Sequence, residues 1–227
     1  MQKKVFSKQN VDIQIQIRPK QSALENMQTD GALLELSDGA FLHFHQWNKP
    51  SFTYGYFVKP DEEFLLSEKI DVARRVTGGG ILYHGKDLSF ALCFPDTHRL
   101  AHADTLVVYE NLNRIMMRAI LDVHPCLIQR EQSKEFSFKE PFCMSRATQY
   151  DLIVDQKKVL GCAIRRKNQR LLYHCSIPLK NFVSLDLLPY LKRGQPIVEK
   201  ILENTYAIGS DWNHLRERIE AHVTENG

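Results

Sequence analysis

The sequence predicts a single α+β domain of mixed, largely antiparallel β-sheets flanked by helices. Three observations predict it. Short apolar or alternating segments recur along the chain, separated by turn residues. Helical periodicity is confined to separate stretches, the strongest over residues 104–122. No repeat or low-complexity linker interrupts the 227 residues, and 43% of them are apolar, ample for one core. The expected domain therefore runs over 1–227.

Taken in order, residues 11–17 (VDIQIQI) alternate as a half-exposed strand does. Ser22 with Glu25 forms a capping box that opens a helix over 23–36. Residues 41–47 and 52–58 read as two strands joined by Asn48-Lys49-Pro50, and a short acidic helix is expected over 60–68. A strand over 70–76 runs into three glycines, and strands follow at 81–84 and 88–94. The helix over 104–122 is capped by Asp104, with Leu106, Val107, Leu112, Ile115, Met116, Ala119 and Ile120 on its inner face. Residues 150–154 and 158–164 flank Asp155-Gln156 as a hairpin, with a third strand over 170–177. Helices near 185–193 and 211–223 close the chain, the latter with Trp212, Leu215, Ile219 and Val223 inward.

Composition narrows the function classes. A net charge of +3 and a pI near 8.5 are far from the basic runs of a dedicated nucleic-acid binder. The N-terminus lacks an apolar signal region, and no stretch approaches the roughly 20 apolar residues of a membrane span. Cysteines at 93, 126, 143, 162 and 175 lack disulfide-framework or zinc-knuckle spacing, which fits free thiols in a reducing compartment. The expectation is a cytoplasmic protein with no membrane or nucleic-acid partner.

The segment Arg74-Arg75-Val76-Thr77-Gly78-Gly79-Gly80 is the most informative one. Three glycines after a strand permit positive φ and let a ligand approach the main chain, and their N–H groups attract anionic oxygens. Arg74 and Arg75 could bind the same anion bidentately. Read alone, the segment is equally a tight turn beside two surface arginines. It is neither a Walker loop nor a dinucleotide fingerprint.

Continued through Ile81-Leu82-Tyr83-His84 and Asp87-Leu88-Ser89-Phe90, it resembles the signature of the lipoate–protein ligase and octanoyltransferase family, whose catalytic fold is shared with biotin–protein ligases. The resemblance resumes at Tyr150-Asp151-Leu152-Ile153-Val154, at Lys157-Lys158-Val159-Leu160-Gly161-Cys162-Ala163 and at His174-Cys175-Ser176-Ile177. Upstream it takes in the helix after Ser22 and Ser51-Phe52-Thr53-Tyr54-Gly55. It therefore spans roughly 18–180, in the family's order.

The resemblance implies that Lys158 points at the acyl carbonyl, where an ammonium stabilises a developing oxyanion. Strand alternation puts Lys157 on the opposite face, in solvent. Arg75 and the strand from Gly80 to Tyr83 would line the acyl pocket, with Gly161 and Ala163 leaving room for the acyl head group. Ordinary hairpin packing would also explain these small residues. His84 and His174 are candidates to take a proton from the incoming lysine, which attacks only when neutral. Cys143, seven residues before Tyr150, resembles the nucleophile of the cysteine-dependent octanoyltransferases. Its thiolate would attack a thioester, helped by Lys158 and Arg146.

Two chemistries follow. In the preferred one, a lipoyl or octanoyl group passes through a Cys143 thioester to a lysine of a lipoyl-domain or glycine-cleavage carrier protein, with an acyl carrier protein among the donors. In the alternative, ATP and Mg activate free lipoate as an adenylate. The short loop Gly85-Lys86-Asp87, and Tyr150-Asp151 where many ligases place Asn-Asp, favour transfer, whereas Gly80 is ligase-like. A catalytically silent binding protein is a third reading. No metal site is expected: Cys143, Cys162, His174 and Cys175 lack zinc-ligand spacing. The basic stretch at 165–170 would steer an acidic acceptor, unless it is simply a solvated hairpin tip.

Overall fold

The computed structural model describes residues 12–36, 38–65, 67–131, 142–145, 147–180 and 185–226. Arg146, expected beside the thiol, lies outside them. The described strands are β1 (Ile13–Ile17), β2 (Ala40–His45), β3 (Ser51–Tyr54), β4 (Asp71–Arg74), β5 (Ile81–His84), β6 (Asp87–Phe94), β7 (Gln129–Arg130), β8 (Leu152–Val154), β9 (Lys157–Lys167) and β10 (Arg170–Pro178). The helices are α1 (Ala23–Leu36), α2 (Pro60–Glu63), α3 (Arg99–His102), α4 (Thr105–Val123), α5 (Gln195–Asn204) and α6 (Trp212–Asn226). This is the expected α+β architecture.

The strands form two sheets. The larger has the order β1-β2-β6-β10-β9-β8-β7, antiparallel except for the β1–β2 pair, and the smaller has the order β4-β3-β5. Although β2 and β3 adjoin in sequence, they belong to different sheets, so Asn48-Lys49-Pro50 is a crossover and not a hairpin turn. The true hairpins are β8–β9 and β9–β10. Their two-residue loops, Asp155-Gln156 (φ 49° and 63°) and Asn168-Gln169 (φ 51° and 61°), have the left-handed backbone that suits the strand twist.

The large sheet is buried on both faces. Along β6, Leu88, Phe90, Leu92 and Phe94 pack with Leu112, Met116 and Ile120 of α4 and with Leu215 and Ile219 of α6. On the opposite face, Ala91 and Cys93 meet Leu33 and Leu34 of α1. The capping box of α1 forms as expected: Ser22 N–H and Oγ donate to Glu25 Oε2 at 2.8 and 2.7 Å, and Glu25 N–H donates to Ser22 Oγ at 3.2 Å.

Several elements differ from the sequence reading. In α4, Leu106 and Val107 are exposed, and Val108 and Tyr109 take the inner positions. Asp104 stands at the N-cap position without a side-chain capping bond. Residues 185–190 form a 3-10 turn, and α5 follows it as an unanticipated helix with Ile197, Val198 and Ile201 buried. Their i, i+1, i+4 spacing after Gly194 and Pro196 was the available signal.

Candidate active site

The site lies where the edge of the small sheet meets β9 and β10. β4 ends at Arg74, and its alternation sends Arg74 outward and Arg75 inward. Arg74 is exposed, its guanidinium 4.9 Å above the Tyr56 ring. Arg75 is buried and donates from Nη1 to Thr53 O and Oγ1 (2.9 and 3.0 Å) and from Nη2 to Gly78 O and Gly80 O (3.0 and 2.8 Å). The two guanidinium groups therefore do not converge on one anion; Arg75 instead fixes the glycine turn from within. Of the three glycines only Gly79 needs its lack of a side chain for conformation, with φ +91°. Gly55 was an unrecognised partner: a Cβ there would stand 1.9 Å from Gly79 O, and its N–H donates to Gly80 O at 3.3 Å.

Cys143 is delivered to this turn by a bridge between Phe142 and Ile81. Its half-buried Sγ accepts the Gly80 N–H at 3.0 Å. A Cβ on Gly79 would lie 3.2 Å from Arg75 Nη2 and 3.4 Å from Cys143 Sγ, so sulfur and guanidinium share the underside of the loop.

Lys158 enters from the start of β9. It is buried, whereas Lys157 is exposed, as alternation requires. Lys158 Nζ lies 2.8 Å from Asp151 Oδ2 and donates to Cys143 O at 3.1 Å. Thr148 N–H and Oγ1 donate to the same Asp151 oxygen at 2.7 and 2.9 Å. Burial works against the ammonium, but the charges of Asp151 and Cys143 outweigh it and raise the Lys158 pKa. Lys158 is therefore a held cation. Gly161 leaves the space this requires, since a Cβ there would meet Met144 Sδ at 3.2 Å and Lys158 Cε at 3.6 Å.

A cavity of about 30 Å³ opens beside Cys143, lined among others by Arg75, Leu82, His84, Gly161, Ala163 and His174. Ile81 and Tyr83 instead pack in the core beneath the small sheet, with Phe52, Phe64 and Phe142. Both histidines have their ring nitrogens engaged. His84 Nδ1 lies 2.8 Å from Asp87 Oδ2, its Nε2 2.7 Å from Thr53 Oγ1, and its ring stacks on Trp47 at 4.2 Å. Burial lowers the His84 pKa, an effect that Asp87 offsets only in part. His174 Nε2 bonds Asp30 Oδ2 at 2.9 Å, and its Nδ1 lies 2.8 Å from Thr77 Oγ1. Neither presents a free ring nitrogen to a substrate amine.

Asp30, which the sequence reading did not single out, organises this wall. Its fully buried carboxylate also accepts from His43 Nδ1 (2.8 Å) and His45 Nε2 (2.9 Å). Burial would raise its pKa, but His45 and the three imidazole hydrogen bonds hold it well below the usual carboxylate range. Among the described residues, Asp30, His45 and His174 are the group able to hold a metal ion, with ligand atoms within 4.8 Å of one another. His45 Nε2 and His174 Nε2 already hydrogen-bond to Asp30, while His45 Nδ1 is buried without a partner. Cys143, Cys162, His174 and Cys175 form no such group. Cys162 and Cys175 face each other across β9 and β10, and burial pushes both thiols up.

The basic hairpin tip belongs elsewhere. Asn168 lies five residues beyond Ala163 along β9, about 16 Å at strand rise. Arg166 bonds Ala101 O and Ala103 O, Lys167 pairs with Glu35, and Arg170 with Asp38.

The profile of the lipoyl protein ligase A/B catalytic domain matches residues 22–197. The chain belongs to this lipoyl protein ligase A/B family. Among relatives of this family chain, the octanoyltransferase LipM of Oceanobacillus iheyensis is 29% identical over 74% of the chain and 67% of the relative. LipM of Carboxydothermus hydrogenoformans is 30% identical over 70% of the chain and 62% of the relative. The match thus spans about two thirds or less of these relatives' length. A lipoate-protein ligase A bound with ATP superposes with a TM-score of 0.71 at 20% identity, over 96% of this chain and 85% of that one. A bi-partite lipoate protein ligase from Thermoplasma acidophilum, studied with its E2 lipoyl domain, gives 0.71 at 18% identity over 95% and 84%. These likenesses show the fold, that of a lipoyl protein ligase A/B domain.

Proposed function

We propose that this chain attaches a lipoyl or octanoyl group to a specific lysine of a lipoyl carrier domain, by thioester transfer through Cys143. The observation that carries the reading is the sulfur itself, seated on the Gly80 N–H beside Arg75 while Lys158 is held against the Cys143 backbone. The Gly80 N–H donates to that sulfur, and the two fixed cations stand close enough to stabilise an oxyanion formed beside it. The named octanoyltransferase relatives point the same way.

In this scheme the Cys143 thiolate attacks the carbonyl carbon of an acyl thioester. The C–S bond to the donor breaks, and the donor leaves as a thiolate. The neutral amine of the acceptor lysine then attacks the acyl carbon, the bond from that carbon to Cys143 Sγ breaks, and the proton lost by nitrogen balances the departing thiolate. Neither His84 nor His174 is needed as the base. Lys158 and Arg75 act as fixed positive charges, not as proton carriers.

The cavity suits an alkyl chain because its polar side chains are turned onto one another: Thr53 with His84 and Arg75, His45 and His174 with Asp30. What remains open to the cavity is mainly apolar surface, with Cys143 in its lining. At about 30 Å³ the cavity has room for one or two waters, so its walls part when the chain enters. An acyl carrier protein or an already modified carrier domain suits as donor, and a lipoyl-domain or glycine-cleavage carrier as acceptor. A cytoplasmic setting matches the free cysteines; no helix among the described residues is long and apolar enough to cross a membrane.

The test is modification of a lipoyl-domain acceptor from an octanoyl thioester without ATP. Transfer by the wild type and none by Cys143→Ala supports the reading. Modification that requires ATP and free lipoate, and that Cys143→Ala performs equally well, replaces it with the ligase reaction.

A further inference from the structure

Immediately after Gly55, the backbone carries two aromatic residues into solvent. Phe57 is 90% exposed and Tyr56 51%, their rings 5.4 Å apart and edge to face. Arg74 covers the outer face of Tyr56. Neither aromatic belongs to a hydrophobic cluster of the described residues. An aromatic residue this exposed has no packing role, and such surfaces mark interaction sites.

Their position decides what they meet. Gly55 is pressed against Gly79 O, and Gly79 lies directly over Cys143 Sγ and Arg75. Gly79 is itself exposed, so Tyr56 and Phe57 stand beside the outer face of the loop that covers the sulfur. We infer that Tyr56, Phe57 and Arg74 form the docking rim for the acceptor domain, a folded protein with apolar surface and a carboxylate beside its target lysine. This rests on the reading of the chain as an acyltransferase to lysine.

Reach separates acceptor from donor. A lysine side chain spans only roughly 6 Å from Cα to Nζ at standard bond lengths. To place its amine on a carbonyl at Cys143, the acceptor's backbone must come down onto the rim of the glycine loop. A thioester on a long flexible arm has no such need, since its carrier can stand off. The basic tip at Asn168-Gln169 is too far along β9 to serve, and its neighbours Arg166, Lys167 and Arg170 are paired within the chain. Aromatic residues and arginine are the residue types that dominate binding energy at interface centres, and Arg74 supplies a cation for an acidic acceptor surface.

Two measurements test the inference. Titration of unmodified lipoyl domain against wild type and Phe57→Ser needs no chemistry; the expected result is about tenfold weaker binding in the variant, with Phe57→Tyr near wild type. Single-turnover acylation of Cys143 by a small octanoyl thioester should be unchanged in Phe57→Ser, whose exposed side chain leaves thermal stability intact. Wild-type affinity in Phe57→Ser overturns the docking rim. Loss of acylation together with binding also overturns it, making the loop part of the site's scaffold. Absence of an acyl-enzyme in the wild type would instead overturn the transfer reaction, and the binding titration would still decide the rim.

Discussion

Lys158 and Asp151 form a buried ion pair beside Cys143. Their side chains are 5% and 2% exposed, and their separation is 2.8 Å. Removing one partner leaves an uncompensated charge in the interior. Lys158→Met should therefore lower stability by about 3–5 kcal/mol, measured by denaturant unfolding, besides abolishing transfer. Asp151→Asn keeps the shape and loses the charge; it should slow acylation while leaving more of the fold intact. Strand alternation says that only one of Lys157 and Lys158 turns inward, and the position in the family motif picked Lys158, which is the buried one. Cys143 was picked out by the family resemblance in its spacing to Tyr150, since free cysteines are common as buried packing residues. Asp30 was not: its partner His174 lies 144 positions away, and nothing local marks a helix aspartate as the hub of three histidines. His84 and His174 line the cavity as expected, with both ring nitrogens of each already hydrogen-bonded.

Short elements carry the geometry of the site, and glycine decides it at two of them. Gly55→Ala would drive a methyl group to 1.9 Å from Gly79 O, a backbone atom that cannot yield cheaply. The glycine loop must then shift off Cys143. The expected outcome is loss of acyl-enzyme formation with the thiol still present by titration; wild-type rates would show that the close approach is not needed. The capping box is a milder case. Ser22→Ala should cost about 1 kcal/mol through the lost α1 cap, read as a lower unfolding midpoint. Most elements were legible from periodicity and turn chemistry, including the hairpin at Asp155-Gln156; the next connection, read as 165–170, is shorter, because β9 runs on to Lys167 and turns at Asn168-Gln169. The misreadings have physical causes. Neighbouring strands β2 and β3 joined separate sheets because pairing is settled by which faces can be buried together, which sequence adjacency does not encode. α4 turned Val108 and Tyr109 inward because α6 and the sheet cover one stripe, rotated from the one its first apolar residues suggested.

For the molecule as a whole, the titrating groups that depart from their ordinary values in the acid range share one direction. Asp30 and Asp87 are held low, by histidines and hydroxyls that outweigh burial. His84 is lowered by burial, and His98 is lowered to about 4 by burial and by Arg99 beside it. In each case the unfolded chain binds a proton more readily than the fold. Stability must then fall as pH drops: first through the histidines, below their unfolded value of 6.5, then through the carboxylates, below about 4. His98 alone accounts for up to about 3 kcal/mol between pH 6.5 and about 4. Unfolding free energies across this range should show the decline, and His98→Gln should flatten its upper part; a profile unchanged by that substitution would contradict the assignment. The α+β class and the single domain were legible at this scale. The burial of polar side chains behind the cavity at Cys143 was not, because it arises from contacts across both sheets and α1.

The chemistry at Cys143 is open to one direct observation. Intact-mass spectrometry after brief incubation with an octanoyl thioester, without ATP, should show a single octanoyl adduct on the wild type that is absent from Cys143→Ala and is discharged by a lipoyl-domain acceptor. An adduct that persists in Cys143→Ala, or a wild type that modifies the acceptor without ever carrying the acyl group, would contradict covalent transfer through this cysteine.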